Sequence, residues 1–323
     1  MPKISIITPC YNAAPYLRQM IESVRAQSLP DFEHVIVDDG SVDASAAIVE
    51  ELARSDPRLR LVRQSNAGVA RARNAGFRAA SADSGYLLFL DADDCIAPTM
   101  LQVLTGYLDA HPHVGLAYCD FECIDEAGNP APKPPTRRVV PARFGVRVLR
   151  PQEPLTPLES IVCWAPVMES LSVLRRSIFQ TTPGWNESLG QIGEGVELFS
   201  RFALRSEVHF VPQVLYQYRQ HARQSTATPG QIQSQQERIN ALLPQMSGLS
   251  AEELGRIRSA CRFRDYRFAA TVGLGAANSH LRQHQWTQAA RCFLGAMRRL
   301  AVDFVSRLRP GPGRQATLPG IHA

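Results

Sequence analysis

The chain has 323 residues, of which 45% are hydrophobic and 20% charged. This composition supports a buried core and excludes a largely disordered chain. The formal net charge of +5 is uneven: residues 255–323 carry 12 Lys and Arg against 2 Asp and Glu, and residues 1–254 carry 23 against 28. The two parts therefore have opposite net charges, and the basic part is expected to attract phosphate-bearing surfaces.

Short apolar runs alternate with amphipathic stretches over the first part of the chain. Strands are predicted at 4–8, 34–37, 59–62 and 86–90, and helices near 14–27, 43–54, 68–81 and 98–110. Such alternation favours βαβ units and a parallel sheet. We therefore expect an open α/β domain over residues 1–228.

The alternation stops at residues 128–157, where prolines punctuate a basic stretch. This pattern predicts a long loop, suited to a lid or an acceptor-binding surface. A helix is then predicted at 196–205 and a strand at 208–212. Residues 229–309 are predicted to form a basic helical region, and 310–323 a disordered tail.

Two acidic clusters follow predicted strands. Asp38 and Asp39 come directly after one apolar run, and Asp91, Asp93 and Asp94 come after another. Open α/β sheets bind ligands at the carboxyl ends of their strands. Carboxylates at such a place suit Mg²⁺ or Mn²⁺ shared with substrate phosphates. The alternative interpretation of an isolated acidic cluster is a turn with helix-capping residues.

Five short motifs occur in order: Thr8-Pro9-Cys10-Tyr11-Asn12, Val37-Asp38-Asp39-Gly40-Ser41, Asn66-Ala67-Gly68, Ala72-Arg73-Asn74-x-Gly76 and Leu90-Asp91-Ala92-Asp93-Asp94. Two more follow: Gly184-Trp185-Asn186-Glu187-Ser188-Leu189 and Tyr218-Arg219-x-His221. With them the chain resembles a family 2 glycosyltransferase of the GT-A fold over about residues 1–225. The resemblance implies a mixed, mainly parallel sheet flanked by helices, here with a C-terminal helical extension.

The resemblance assigns the nucleotide side of the pocket to the first motifs. Asp39 would accept a hydrogen bond from the base, and Thr8 and the ring of Tyr11 would line the base pocket. Arg73 would face the diphosphate, where a guanidinium can bind two oxygens. The alternatives are a packed aromatic at a strand end for Tyr11 and a solvated helix arginine for Arg73.

The second acidic cluster is assigned to the metal and the sugar. Asp93 is the predicted ligand of Mn²⁺ or Mg²⁺, Asp91 would contact the sugar or ribose, and Asp94 would support the metal or the donor sugar. His221 would contact the donor phosphates or help to close the active-site loop. A plain polar loop histidine is its alternative.

The catalytic base is where the sequence departs from the family pattern. The family places this carboxylate six residues before an arginine, and counting back from Arg201 gives Gly195. Glu194, one residue earlier, is our predicted base, because its side chain is one carbon longer than that of the aspartate that the family usually places at position 195. The alternative for Glu194 is an acid that the helix dipole favours. Glu197 is the other carboxylate near this position, and we interpret it as a surface or structural acid.

The function that the resemblance implies is metal-dependent, inverting transfer of a sugar from a nucleotide-sugar donor. A UDP-linked donor is expected, with a glycan or lipid-linked acceptor in surface polysaccharide synthesis. The main alternative is a non-catalytic relative that binds nucleotide sugars and has lost turnover, since Gly195 holds the usual base position. Two other enzyme classes are disfavoured. The chain lacks the Gly-rich basic N-terminal loop expected of a nucleotidyltransferase, and it lacks the Gly-x-Gly-x-x-Gly motif that follows the first strand of a dinucleotide oxidoreductase.

The remaining features concern location and partners. The seven cysteines show no disulfide framework or zinc spacing and are interpreted as reduced thiols. The first apolar run is too short for a secretory signal, and no stretch reaches the roughly 18 apolar residues of a spanning helix. We expect a cytoplasmic protein.

The basic C-terminal helices, which contain Trp286, Phe293 and Phe304, would dock on an anionic membrane face or pack on the catalytic domain. No nucleic-acid-binding module is recognisable in the sequence.

Overall fold

The protein is described from a computed structural model. Residues 1–132, 139–142, 145–148, 169–189 and 194–222 are described, together with short pieces between 250 and 297. The chain divides into two compact units, Met1–Arg258 and Ser259–Ala323. The domain boundaries predicted after residues 228 and 309, and the predicted disordered tail, lie outside the described residues.

The first part of the chain alternates strands and helices, as the hydrophobic pattern predicts. The strands are β1 (Ile4–Cys10), β2 (Phe32–Asp39), β3 (Leu59–Gln64) and β4 (Tyr86–Phe89). The helices are α1 (Ala14–Arg25), α2 (Ser45–Ala53), α3 (Val69–Ala79) and α4 (Met100–Ala110). All residues of β2 and β4 are buried, as expected for strands covered by helices on both faces.

The later elements are less regular. The strands are β5 (Cys95–Ile96), β6 (Val114–Ile124), β7 (Pro130–Ala131), β8 (Val139–Ala142), β9 (Gly145–Val148), β10 (Ser172–Arg175) and β11 (Glu207–Arg219). A 3-10 turn at Glu169–Leu171 precedes β10, and the helices are α5 (Arg176–Phe179) and α6 (Glu194–Ala203).

Three expectations about these later elements need correction. Strand β6 was not predicted, and β11 is far longer than the strand predicted at 208–212. The β6/β11 register shifts between Phe210 and Val214, and this irregularity accommodates Pro212, which cannot donate to the ladder. The region predicted as a loop contains β7 and the antiparallel pair β8 and β9, because its valine-rich segments favour strands.

Within the described residues the main sheet has the order β3-β2-β1-β4-β10-β6-β11-β5, with β7 beside β6. Strands β1 to β4 pair in parallel, β10 is antiparallel to β4 and β6, and β6 is parallel to β11. The carboxyl ends of β1, β2, β4, β6 and β11 therefore share one edge, here called the carboxyl edge. This mixed, mainly parallel sheet with flanking helices confirms the predicted fold class.

Helix α3 packs on β1 and β2 through a glycine, and this contact gives a test of the packing. A Cβ added at Gly76 would lie 2.3 Å from Ile7 Cγ2 and 3.1 Å from Val37 Cγ2. We expect Gly76→Ala to lower the free energy of unfolding by about 1–3 kcal/mol through overpacking. Urea denaturation measures this change.

The matched control for Gly76→Ala is Gly106→Ala in α4. A Cβ at Gly106 would meet nothing within 4 Å. This variant should be neutral or more stable by up to about 1 kcal/mol, because alanine has the higher helix propensity. Equal stabilisation by both substitutions would show that the contact at Gly76 is looser than described.

No helix within the described part of the chain has both the length and the apolar character needed to span a bilayer.

Candidate active site at the carboxyl edge

Asp39 ends β2, and its carboxylate organises the loop before α3. Its Oδ1 accepts hydrogen bonds from the Gln64 side chain at 2.7 Å and from the Ala67 N–H at 2.9 Å, and its Oδ2 accepts from the Gly68 N–H at 2.9 Å. A carboxylate offers about four lone-pair positions. Asp39 thus retains acceptor capacity while the loop fixes its orientation.

The two other residues predicted to line the base pocket differ in exposure. Tyr11 follows β1 and is 54% exposed, so the alternative of a packed aromatic is wrong. Thr8 lies within β1, has no exposed surface, and its hydroxyl lies 3.0 Å from Nε2 of buried His34. Tyr11 therefore offers an accessible ring. Thr8 lies below the surface and could support the base pocket only through the residues that cover it.

The partner of Thr8 provides a pH test. Burial lowers the pKa of His34 to about 3 from 6.5. As the pH falls through this range, the unfolded chain takes up a proton at His34 that the folded chain does not, so stability present above pH 6.5 is progressively lost. We expect wild-type protein to lose about 2 kcal/mol more than His34→Gln between about pH 7.5 and about pH 5. Urea unfolding at both pH values measures the difference, and equal losses would contradict the assignment.

The second acidic cluster follows β4. The side chains of Asp91 and Asp93 are 36% and 32% exposed. Asp94 is buried; its Oδ1 accepts from the Arg219 N–H at 2.7 Å and its Oδ2 from the Tyr216 hydroxyl. Burial, and then the neighbouring carboxylates, raise the pKa of Asp94 well above its usual range. This geometry favours a supporting role for Asp94 over direct contact with a donor sugar.

His221, just after β11, lies against the predicted metal ligand. Its Nε2 is 2.9 Å from Asp93 Oδ2, and its ring lies 4.6 Å from the ring of Tyr16, centre to centre. Arg219 Nε also donates to the backbone carbonyl of Asp93 at 2.6 Å. These contacts exclude the alternative of a plain solvated loop histidine and tie the end of β11 to the acidic loop.

Asp91 and Asp93 fit a hard divalent cation shared with a nucleotide. Burial, with a contribution from Asp91, raises the pKa of Asp93 although His221 acts in the opposite direction, and a bound cation would favour the charged carboxylate. Two carboxylates are too few to supply all the ligands of a divalent cation. Mg²⁺ and Mn²⁺, however, often bind one or two carboxylates together with substrate phosphates. The oxygen donors present therefore fit the predicted cofactor.

Arg73, on α3, is held by two carboxylates from distant parts of the chain. Its Nη1 donates to Glu194 Oε1 and its Nη2 to Asp91 Oδ1, both at 2.9 Å. The guanidinium carbon lies 4.4 Å from the ring centre of Trp185, and the side chain is 3% exposed. The alternative of a solvated arginine is wrong. The two ion pairs use two of the five N–H donors of the guanidinium, and the predicted contact with a diphosphate would use the others.

Helix α6 begins at Glu194, so Gly195 lies in its first turn. Glu194 is 5% exposed, and burial raises its pKa although Arg73 acts in the opposite direction. Glu197 is also buried and accepts a hydrogen bond from Arg201 Nε at 2.8 Å. A surface position for Glu197 is therefore wrong, and its ion pair fits the structural alternative.

Sequence reasoning missed the groups that hold the acidic cluster in place. Tyr216 binds Asp94, and Ser170 Oγ accepts from the backbone N–H of Asp91 at 3.0 Å. The Tyr-Arg-x-His motif indicated Arg219 and His221 but not the carboxylates that they contact. No local signal identifies Ser170, because only the pairing of β10 with β4 brings its segment to this place.

The open, mainly parallel α/β sheet with two acidic clusters at its carboxyl edge has the fold class of the GT-A glycosyltransferases. Residues 5–163 match the model of the family described as glycosyl transferase family 2. This match covers 159 of the 323 residues, and over this region the chain is similar to that family.

Two curated bacterial relatives illustrate the match. The chain is 41% identical over 105 residues to the uncharacterised glycosyltransferase EpsJ of Bacillus subtilis, covering 32% of this chain and 30% of EpsJ. It is 38% identical over 117 residues to the minor teichoic acid biosynthesis protein GgaA of Bacillus subtilis, covering 35% of this chain and 26% of GgaA. The match thus spans about a third or less of these relatives' own lengths.

Solved structures share the fold. The TarS fragment 1-349 of S. aureus in complex with UDP-GlcNAc has a TM-score of 0.62 at 22% identity, covering 91% of this chain and 81% of that one. The mannosyltransferase PcManGT of Pyrobaculum calidifontis, in complex with GDP-Man and Mn²⁺, has a TM-score of 0.54 at 18% identity, covering 93% and 87%. At these identities the likeness concerns the fold.

Proposed function

We propose that this protein is a metal-dependent, inverting glycosyltransferase that moves a sugar from a nucleotide-sugar donor to a glycan or lipid-linked acceptor in surface polysaccharide synthesis. The supporting observation is that Arg73 joins Glu194 to Asp91 in the second acidic cluster, and that Asp39 ends a strand at the same carboxyl edge. The UDP-GlcNAc complex of TarS favours a UDP-linked donor. The role of GgaA in minor teichoic acid biosynthesis favours a surface polymer as the product.

The nucleotide would bind between the first two motifs. The carboxylate of Asp39, oriented by its backbone contacts, would accept a hydrogen bond from a base N–H. The exposed ring of Tyr11 would stack on the base. Asp91, which is partly exposed, would bind a hydroxyl of the ribose or the donor sugar. Thr8 would support this pocket from below through the strand.

The diphosphate would lie against the second acidic cluster. Asp93, oriented by His221 and assisted by Asp91, would hold Mn²⁺ or Mg²⁺ there. When bound, such a cation neutralises the charge that develops on a departing nucleoside diphosphate. Asp94 would keep the loop in place through Tyr216 and Arg219.

Glu194 would act as the general base. Its carboxylate would take the proton of the acceptor hydroxyl while that oxygen forms a bond to the anomeric carbon. The bond from this carbon to the diphosphate oxygen would break, and its electron pair would leave with the nucleotide. Burial raises the pKa of Glu194, which brings the group closer to the value that suits proton transfer near neutral pH. Arg73 would position Glu194 and Asp91 relative to each other.

Gly195 supports one competing function, that of a nucleotide-sugar-binding protein without turnover. A thermal-shift panel of nucleotide sugars with Mn²⁺ and Mg²⁺ would first identify the base of the donor. Donor hydrolysis or sugar transfer would then be measured with Mn²⁺ and the best ligand. Release of the nucleoside diphosphate supports the transferase, whereas affinity without any product favours the binding protein.

We also propose that the Ser259–Ala323 unit docks on an anionic membrane surface at the cytoplasmic face. Trp286, Phe293, Leu294 and Met297 are exposed, and Arg291 among them is exposed as well. An apolar stripe flanked by basic residues suits an interfacial helix. Full-length protein should sediment with vesicles rich in phosphatidylglycerol, and the variant Phe293→Ser/Leu294→Ser should sediment less. Equal sedimentation of both would indicate that the stripe is not the docking surface.

A further inference from the structure

A cluster of imidazole and carboxylate groups lies at the sheet edge opposite the proposed active site. His113 directly precedes β6, and Glu207 and His209 lie near the start of β11. Because β6 and β11 run parallel to β4, their starts lie at the edge away from Asp91. None of these three residues has a role in the proposed sugar transfer.

The three side chains converge on one point. One ligand atom from each of His113, Glu207 and His209 lies within 4.8 Å of the others. His209 Nε2 is 2.8 Å from Glu207 Oε2, and His113 Nε2 is 3.6 Å from the same oxygen. In a tetrahedral zinc site, metal–ligand distances of about 2.0–2.2 Å place ligand atoms roughly 3.3–3.6 Å apart. Small side-chain adjustments would therefore bring all three atoms onto one ion.

The backbone keeps these residues together. Glu207 and His209 are two residues apart on β11, and the contact between their side chains shows that both face the same side of the strand. The Glu207 N–H donates to the His113 carbonyl at 3.4 Å, which holds the start of β11 beside the segment before β6. The cluster thus joins two segments far apart in sequence, and the pattern His-x-His with Glu-x-His was its only local signal.

The Tyr107 hydroxyl orients the buried imidazole of His209. His209, whose side chain is 6% exposed, places its Nδ1 2.9 Å from the Tyr107 hydroxyl. A ligating imidazole characteristically uses its other nitrogen in such a bond, which fixes the ring and its tautomer. Tyr107 also stacks on His111 at 4.2 Å, so α4 supports the cluster from one side.

We propose that His113, Glu207 and His209 form a binding site for Zn²⁺ or a similar borderline divalent ion, separate from the metal of the proposed transferase site. Two imidazoles and one carboxylate are ligands that zinc prefers, whereas Mg²⁺ favours oxygen donors alone. The fourth position is open to water or to nearby His111. Tyr107 acts as a positioning residue for His209, and the bound ion links the start of β11 to the segment before β6.

The test uses the full chain, stripped with chelator, in an Asp93→Asn background that weakens the proposed transferase metal site. Zn²⁺ binding is measured by calorimetry, and Co²⁺ is used as a spectroscopic probe. We expect stoichiometric Zn²⁺ binding and a visible Co²⁺ band stronger than that of the hydrated ion. His113→Ala and Glu207→Gln should each weaken Zn²⁺ binding by at least about 10-fold, and Tyr107→Phe by about 10-fold.

The matched control is Glu50→Gln, which makes the same change at an exposed residue paired with Arg63 on the β3 side of the sheet. It should leave Zn²⁺ affinity and the Co²⁺ spectrum unchanged. Circular dichroism shows whether each variant is folded, and His113 is exposed, so its substitution should not disturb the core. In the Asp93→Asn background, a Zn²⁺ affinity that neither His113→Ala nor Glu207→Gln changes, or a Co²⁺ spectrum identical to that of the hydrated ion, would overturn the proposal.

Discussion

The Glu194→Gln variant should lose at least about 100-fold in the rate of sugar transfer while binding UDP with nearly unchanged affinity. The substitution keeps the shape of the side chain and an oxygen that can accept from Arg73 Nη1. It removes the carboxylate that would take the acceptor proton, and general base catalysis typically contributes about 10²–10⁴-fold. Single-turnover transfer at saturating donor, together with calorimetric titration of UDP, separates these two effects.

A suitable control is Glu187→Gln, which makes the same change near the site. Glu187 pairs with exposed Arg71 at 2.9 Å and does not contact Arg73 or the acidic cluster through any described hydrogen bond. Its transfer rate should stay close to that of wild type. If Glu194→Gln also transfers sugar at nearly the wild-type rate, the base is another group. If neither the wild type nor any variant forms product, the binding-protein alternative that Gly195 suggests is favoured.

The Asp93→Asn variant should lose the effect of Mn²⁺ on nucleotide binding. In the wild type, Mn²⁺ is expected to increase the thermal stabilisation by UDP, because cation and diphosphate bind together. The amide side chain of the variant would keep an oxygen near His221 but would not supply the negative charge that a hard cation prefers. We expect sugar transfer to fall by about 100-fold or more, which corresponds to about 2.7 kcal/mol of transition-state stabilisation.

Stability without metal distinguishes this effect from misfolding. Burial raises the pKa of Asp93, so the charged carboxylate is less stable in the fold than in water, and a neutral amide at this place should not destabilise the metal-free protein. Asp83→Asn, in an exposed turn before β4, is the matched control and should keep the full response to Mn²⁺. If Mn²⁺ increases the stabilisation by UDP equally in Asp93→Asn and in the wild type, the metal ligand is another residue.

Much of the first half of the fold could be predicted because its signals are local. The buried strands are short apolar runs, the helices between them are amphipathic, and both periodicities depend only on residues near in sequence. The predicted limits of β1 to β4 and α1 to α4 differ from the observed ones by a few residues. Strand β11 was truncated in the prediction because Pro212 is a strong local strand breaker, whereas the bulge that accommodates it depends on pairing with β6.

The chemical types at the site were also predictable, but their partners were not. Asp39, Asp91 and Asp93 stand at strand ends, where topology alone brings carboxylates to one edge. Which guanidinium would meet which carboxylate depended on packing: Arg73 pairs with Asp91 and Glu194, and its predicted contact with phosphate stays a prediction. The roles of these residues in catalysis stay predictions, which the variants above test.

The sequence alone therefore determines the class of fold, the family and the inventory of carboxylates, since each depends on short-range pattern or on motifs in fixed order. Tertiary structure decides which groups are accessible and which are neutralised. Burial and pairing depend on residues far apart in the chain, as between Arg73 and Glu194 or between Asp94 and Tyr216. The same long-range pairing of β6 with β11 creates the His113, Glu207 and His209 cluster, which no single segment of the sequence contains.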